Sequence, residues 1–186
     1  MYKNSSLRKY LDDLAAKLPA PGGGSAAAQA AGLGAALISM VINFTLGKPK
    51  YARYQAGLAK TLTSAERIRK RLLELVDLDV AAFKSKDINK SLNVPFEVAN
   101  LCYEAMRLCP PLVEKGNINL ISDVATAAIM LEAGFSGALF NVTINLKYLK
   151  NKMLAKRIIK ELNTKKRFLK KTRQNLEARC DEIIRG

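Results

Sequence analysis

The sequence predicts an all-α protein, a bundle of long helices, and three observations carry that prediction. Apolar residues recur at helical spacing along nearly the whole chain, whereas the two-residue alternation of a half-buried strand is almost absent. Glycine and proline gather in a few clusters and leave long uninterrupted segments between them. The 186 residues, 49% of them hydrophobic, suffice for one domain with a sizeable core.

The elements follow in order. Leu7, Tyr10, Leu11 and Leu14 mark a short amphipathic helix after Ser5 or Ser6. Pro19 and Pro21 end that segment. Gly22, Gly23 and Gly24 then feed an Ala-rich helix from Ser25 to Leu46, with Ser25, alone or with Gly24, as its cap and Gly47 as its stop. Residues 22–47 carry no charge and are long enough to span a bilayer. Their Ala and Gly content, with Ser25, Gln29, Ser39, Asn43 and Thr45, is weakly hydrophobic for a lone span. A buried helix is expected, with Ala26, Ala30, Gly34 and Ala35 as a flat face for a neighbour, and no membrane partner.

A third helix covers Tyr51 to Val76 and continues to Phe83, with Leu58, Leu62, Ala65, Ile68, Leu72 and Leu75 on its apolar side. Residues 84–94 read as partly loop. Pro95 is expected at the first position of a fourth helix, which runs to Cys109 before Pro110 and Pro111. Residues 116–122 form a connection, and Ser122 or Asp123 caps a long helix to Leu149. A last helix spans Lys152 to Ile184, with Leu162, Leu169, Leu176 and Ile183 at seven-residue spacing. Its companion column, Lys165, Thr172 and Arg179, is poor, so the seam is narrow and suits packing along a bundle or partner. Residues 1–150 are expected to form one helical domain, with residues 151–186 a basic helix packed on it.

The net charge is +15, and residues 147–186 supply most of it, with 14 basic and 4 acidic residues. A solvated helix face, an acidic substrate tail and nucleic acid are the readings of this charge. Nucleic acid is not favoured, because no aromatics interleave with Lys165, Lys166, Lys170 and Lys171. Three cysteines, two of them (Cys102 and Cys109) on a core-like helix face, do not form a disulfide framework and suit a reducing cytoplasm.

The chain contains no histidine, which removes the commonest acid/base group and the commonest zinc ligand. No metal-like cluster is expected. The Gly22–Ser25 loop can present backbone N–H groups beside a helix's positive end to an anion or a polar ring edge, or it is a plain capped turn. It is neither a P-loop nor a G-x-G-x-x-G fingerprint. Asp77 and Asp79 lie two apart and point to different helix faces, so at least one faces inward. A carboxylate in an apolar setting has a raised pKa and can serve as acid and base, or it is a capped or ion-paired core residue. Asn141 and Asn145, four apart, share a helix face and can read a heterocycle edge or bond between helices. Asn117 follows Gly116 as a turn residue does, and Asp123 stands at a helix start.

Together, Pro19 to Ser25, Asp77 to Phe83, Gly116-Asn117 with Ser122-Asp123, and Phe140 to Leu146 resemble, in order and spacing, the cyclodeaminase/cyclohydrolase family of one-carbon folate enzymes. That family takes in the C-terminal half of formiminotransferase-cyclodeaminase and free-standing methenyltetrahydrofolate cyclohydrolases. The resemblance covers roughly residues 5 to 150. It implies an all-helical dimer with a folate site near the subunit interface. Asp79 matches the catalytic aspartate, and Gly22, Gly23, Gly24, Ser25, Asn117, Asp123, Asn141 and Asn145 match positions that line the site. It implies a tetrahydrofolate substrate, polyglutamylated or not, with neither cofactor nor metal. The reaction is formimidoyl cyclodeamination or methenyl hydrolysis. A non-catalytic folate-binding or scaffold protein of the same fold is the alternative, and a basic nucleic-acid-binding bundle the second. One departure stands out: the stretch from Lys84 to Asn93 is shorter than the family's pattern.

Overall fold

The computed structural model describes residues 1–186, and every regular element is helical. The helices are α1 (Leu7–Ala15), α2 (Gly23–Asn43), α3 (Gln55–Ser85), α4 (Ile88–Met106), α5 (Pro110–Lys115), α6 (Ile121–Leu146) and α7 (Lys152–Arg185). Short 3₁₀ turns cover Tyr2–Asn4, Pro49–Tyr54 and Ile118–Leu120. Ser6 caps α1 by accepting from the Lys9 N–H at 3.2 Å.

Several expected boundaries move, each for a local reason. The Ala26 N–H donates to the Gly22 carbonyl at 3.0 Å, so α2 begins at Gly23 and Gly22 is its cap. Ser25 is therefore a third-position helical residue, fully buried, and not the cap. α3 runs without interruption to Ser85. Lys86 then takes a left-handed conformation (φ 56°), and Asp87 caps α4 by accepting from the Asn89 and Lys90 N–H groups. With its first turn satisfied there, α4 starts seven residues before Pro95, and Pro95 lies inside the helix. Residues 88–94 are thus helical rather than loop. Neither Ser122 nor Asp123 caps α6. Asn117 caps the preceding 3₁₀ turn by accepting from the Asn119 N–H, and that turn leads straight into Ile121.

α2 and α6 form the most extensive helix pair, and small residues let their backbones approach. A Cβ added at Gly34 would sit 2.9 Å from the Ala127 carbonyl, and one at Gly134 would sit 2.9 Å from the Ala27 carbonyl. The face in contact is Ala27, Ala31 and Gly34, one residue round from the expected Ala26 and Ala30, which stay half-buried. By length and composition alone, α2 and the Ile118–Leu146 segment could each cross a membrane; here they are the centre of the bundle. α3, α4 and α7 close around them and bury Ile68, Leu72, Leu75, Met106 and Phe135. Each such side chain contributes about 1.5–3 kcal/mol of burial.

Asn151 caps α7, which returns along α6 and buries Leu162, Leu169, Leu176 and Cys180. Ile183, expected in this seam, is only half-buried. Cys102 and Cys109 are core residues.

Candidate functional site

Asp79 lies where α2 begins. The α2 cap, Gly22, has no side chain, so the first N–H groups of the helix have no capping oxygen of their own. The Asp79 carboxylate, carried by α3, occupies the space over Gly24. A Cβ there would meet Asp79 Oδ1 at 2.2 Å and Cγ at 2.7 Å, so only glycine lets the carboxylate come this close. Two opposed influences act on it. Burial raises its pKa, and this is the larger; the backbone of Ser25, at the start of α2, lowers it. The net shift is upward from 3.8. The sequence makes at least one of Asp77 and Asp79 face inward. Asp77 is the more deeply buried and accepts from the Tyr2 and Lys3 N–H groups at 2.6 and 3.3 Å. Asp79 is half-buried and has a cavity in front of it.

That cavity, about 320 Å³, is lined by Pro19, Ala20, Gly22, Gly23, Gly24, Asp79, Ala82, Phe83, Ser91, Asn141, Ile144 and Asn145. The Asn141 amide nitrogen would lie 3.7 Å from a Cβ on Gly23 and donates to the Gly137 carbonyl at 2.9 Å. Asn145 donates to the Ser91 carbonyl at 2.5 Å. The reason that carbonyl is available lies in the sequence: Pro95, four residues on, has no N–H to offer it. Both amides are therefore anchored through nitrogen, and each keeps its oxygen as an acceptor.

The cavity gathers Gly22, Gly23, Gly24, Asp79, Asn141 and Asn145, with Ser25 directly behind. It does not include Asn117 or Asp123. Those sit at the opposite end of α6, with Asp123 about 27 Å along the axis from Asn141 at the ordinary helical rise. Asn117 is buried, and its groups are used within the chain. Its N–H donates to Thr45 Oγ1 at 2.8 Å and its side-chain nitrogen to the Phe44 carbonyl at 3.4 Å. Ser91 and Ile144 enter the cavity unannounced by the sequence. Ser91 falls in the stretch read as partly loop, and a helical reading begun at Asp87 would have placed it.

Fold and cavity define a class: an all-helical protein with a desolvated, cavity-facing carboxylate set against a helix N-terminus. The formiminotransferase-cyclodeaminase family model matches residues 6–87 and 84–164. A methenyltetrahydrofolate cyclohydrolase of Methylorubrum extorquens is 36% identical, over 87% of this chain and 89% of its own. The rat formimidoyltransferase-cyclodeaminase is 31% identical over 77% of this chain, which spans about a third (31%) of that protein's length. A crystal structure of formiminotetrahydrofolate cyclodeaminase from Thermotoga maritima superposes with a TM-score of 0.92 at 26% identity, covering 99% of this chain and 100% of that one. The chain belongs to the formiminotransferase-cyclodeaminase family. The two matched stretches meet at residues 84–87, where the chain passes from α3 to α4 through Lys86 and Asp87 alone. The alignment to the Methylorubrum protein spans 185 positions yet takes in only 87% of this 186-residue chain, so that relative has residues without a counterpart here.

Proposed function

We propose that this chain is a one-carbon folate enzyme acting at the 5,10-methenyl bridge of tetrahydrofolate, with Asp79 as the proton-transfer group. The observation that carries the reading is the single carboxylate, raised in pKa by burial, facing a cavity walled by Gly22–Gly24 and two fixed amides. The volume, near the lower end of ordinary ligand sites, suits the bicyclic head of a folate with the remainder outside. In cyclodeamination, N10 attacks the formimino carbon on N5, and ammonia leaves. In cyclohydrolysis, water adds to the bridge carbon and the bond to N5 opens. Both pass through a tetrahedral carbon between nitrogens. Asp79 takes the proton from the attacking N10 or water and returns it to the departing nitrogen. The oxygens of Asn141 and Asn145 accept from the pterin edge and hold the carbon in reach. Ser25 keeps the floor of the site in place, and neither metal nor cofactor enters these steps.

The remaining expected residues acquire a place in a homodimer. Leu33, Ile129, Phe140 and Ile144 are 45–71% exposed on the outer faces of α2 and α6, an unusual amount of bare apolar surface for the two core helices. A two-fold axis across α6 would set the Asn117–Asp123 end of one copy beside the Asn141–Asn145 end of the other. Residues 147–171 hold eleven basic residues and one acidic, whereas residues 172–186 hold three of each. The cationic part borders a groove of about 890 Å³ between α6 and α7, lined by Lys147, Lys156, Lys160, Lys166 and Arg167. This charge suits a polyglutamate tail passing round the end of α6. Three buried thiols suit a reducing cytoplasm.

The test is the absorbance of 5,10-methenyl-tetrahydrofolate, followed on hydrolysis and, starting from 5-formimino-tetrahydrofolate, on ring closure with ammonia release. Turnover in either assay, lost in Asp79→Asn, is expected. Binding without turnover in both would overturn the enzyme reading in favour of a folate-binding protein.

A further inference from the structure

We infer that Tyr10, on α1, is a positioning residue for Asp79, acting through Ser25. The inference rests on the reading of Asp79 as the proton-transfer group. Tyr10 is buried, and its hydroxyl lies 3.2 Å from Ser25 Oγ. Ser25 has one hydroxyl proton, and it goes to the Val76 carbonyl at 3.0 Å. Tyr10 is therefore the donor to Ser25, and a single relay runs from Tyr10 through Ser25 to Val76. It ties α1 to the first turn of α2, and that turn to α3 one helical turn before Asp79. Neither hydroxyl reaches the cavity, so neither touches substrate.

The relay bears on Asp79 because the residue it fixes follows Gly24 in the first turn of α2, and the carboxylate lies directly over Gly24, at the positive end of that helix. With no side-chain cap on α2, the relay is the side-chain hydrogen bonding that holds this first turn against α1 and α3. The surroundings of Asp79 contain little that could compensate. α6 offers the uncharged Asn141 and Asn145, α4 the hydroxyl of Ser91, and α1 only Tyr10 itself, whose own titration is pushed up by burial. On α3, Asp77 is the nearest other carboxylate, and it is taken up by the Tyr2 and Lys3 N–H groups. Loosening Ser25 therefore loosens the helix N-terminus that favours ionised Asp79, and the carboxylate titrates at higher pH.

Tyr10→Phe tests this. The ring can keep its edge contact with Tyr2, at 5.3 Å between centroids, so the change removes the hydroxyl alone. The expected result is kcat lower by about tenfold, the scale of one hydrogen bond in a barrier, with KM near wild type and the acidic limb of the pH–kcat profile moved to higher pH. Ser25→Ala keeps the N–H and removes the relay, and should move the limb in the same direction. It carries the test if Tyr10→Phe does not fold. A wild-type profile in both variants, or a lower kcat with an unmoved limb, overturns the inference. Asp79→Asn separates the two claims: if it retains turnover, the reading of Asp79 fails; if it is inactive while Tyr10→Phe is normal, only the inference fails.

Discussion

Asp77 and Asp79 share one helix, are separated by one residue and have opposite surroundings. Asp77 is buried beneath the first residues of the chain and accepts two backbone N–H groups. It is a structural clasp between the Tyr2–Asn4 turn and α3. Asp79 is turned toward the Gly22–Gly24 cavity and has a pKa raised by burial. The contrast teaches that burial alone does not mark a reactive carboxylate. The deeper of the two is the one held by hydrogen bonds, and the shallower is the one whose pKa burial raises and which we propose as the proton-transfer group.

The contrast can be broken most severely at Asp79. Asp79→Asn should lower turnover by about 10²–10⁴, the contribution of a general acid–base group, as read in the methenyl-folate assay. The same change should leave stability at neutral pH equal or higher by up to about 1 kcal/mol, in the ordinary range of point changes. The sign follows from the raised folded pKa. Stability conferred by protonated Asp79 is full below its unfolded value near 3.8 and is lost as pH rises through the folded value, so the variant's advantage vanishes in acid. Thermal melts at pH 3.5 and 7 check this.

Gly24→Ala is next. The new methyl displaces the Asp79 carboxylate and should cost about 10–100-fold in turnover, the scale of an ångström's misplacement. Stability should stay within about 1 kcal/mol, because alanine also favours the helix by a similar amount. Asp77→Ala inverts the pattern. It leaves the Tyr2 and Lys3 N–H groups without their acceptor and should cost about 0.5–1.5 kcal/mol in denaturant unfolding, with turnover of the folded protein close to normal. The smallest effect is expected from Pro95→Ala. It gives the Ser91 carbonyl a helical donor in competition with Asn145, and should raise KM by a few-fold while leaving the melting temperature unchanged or higher.

Much of the fold was readable because helical periodicity is local and the chain obeys it from Leu7 to Leu176. The boundaries that failed did so where a side chain outside the periodic pattern took over. Asp87 started α4 early and put Pro95 inside it, and Gly22 capped α2 with backbone alone. The site was readable in composition more than in arrangement. The glycine run, Asp79 and the two asparagines meet, but nothing in sequence shows that Asn117 and Asp123 lie at the other end of the bundle, since that distance is a property of one 26-residue helix, α6. Tyr10 was hidden for a similar reason. In sequence it is one more apolar-face residue of a short helix, and only packing brings its hydroxyl to Ser25.

The close contact of α2 with α6 has a consequence for how this chain can change length. Ala27 meets Gly137, Ala31 meets Gly134, and Gly34 meets Leu131 and Ala127, and the same antiparallel pairing, extended, puts Gly23 beside Asn141. The two walls of the cavity are thus set by a count of residues along two helices. One residue inserted into α2 between Gly23 and Gly34 would turn the start of that helix by about 100° and shift it by about 1.5 Å, carrying Gly24 away from Asp79 even if the core repacked around it. Length variation in a lineage carrying this site is therefore confined to the turns, and the α3–α4 connection, where the family match divides, is such a place.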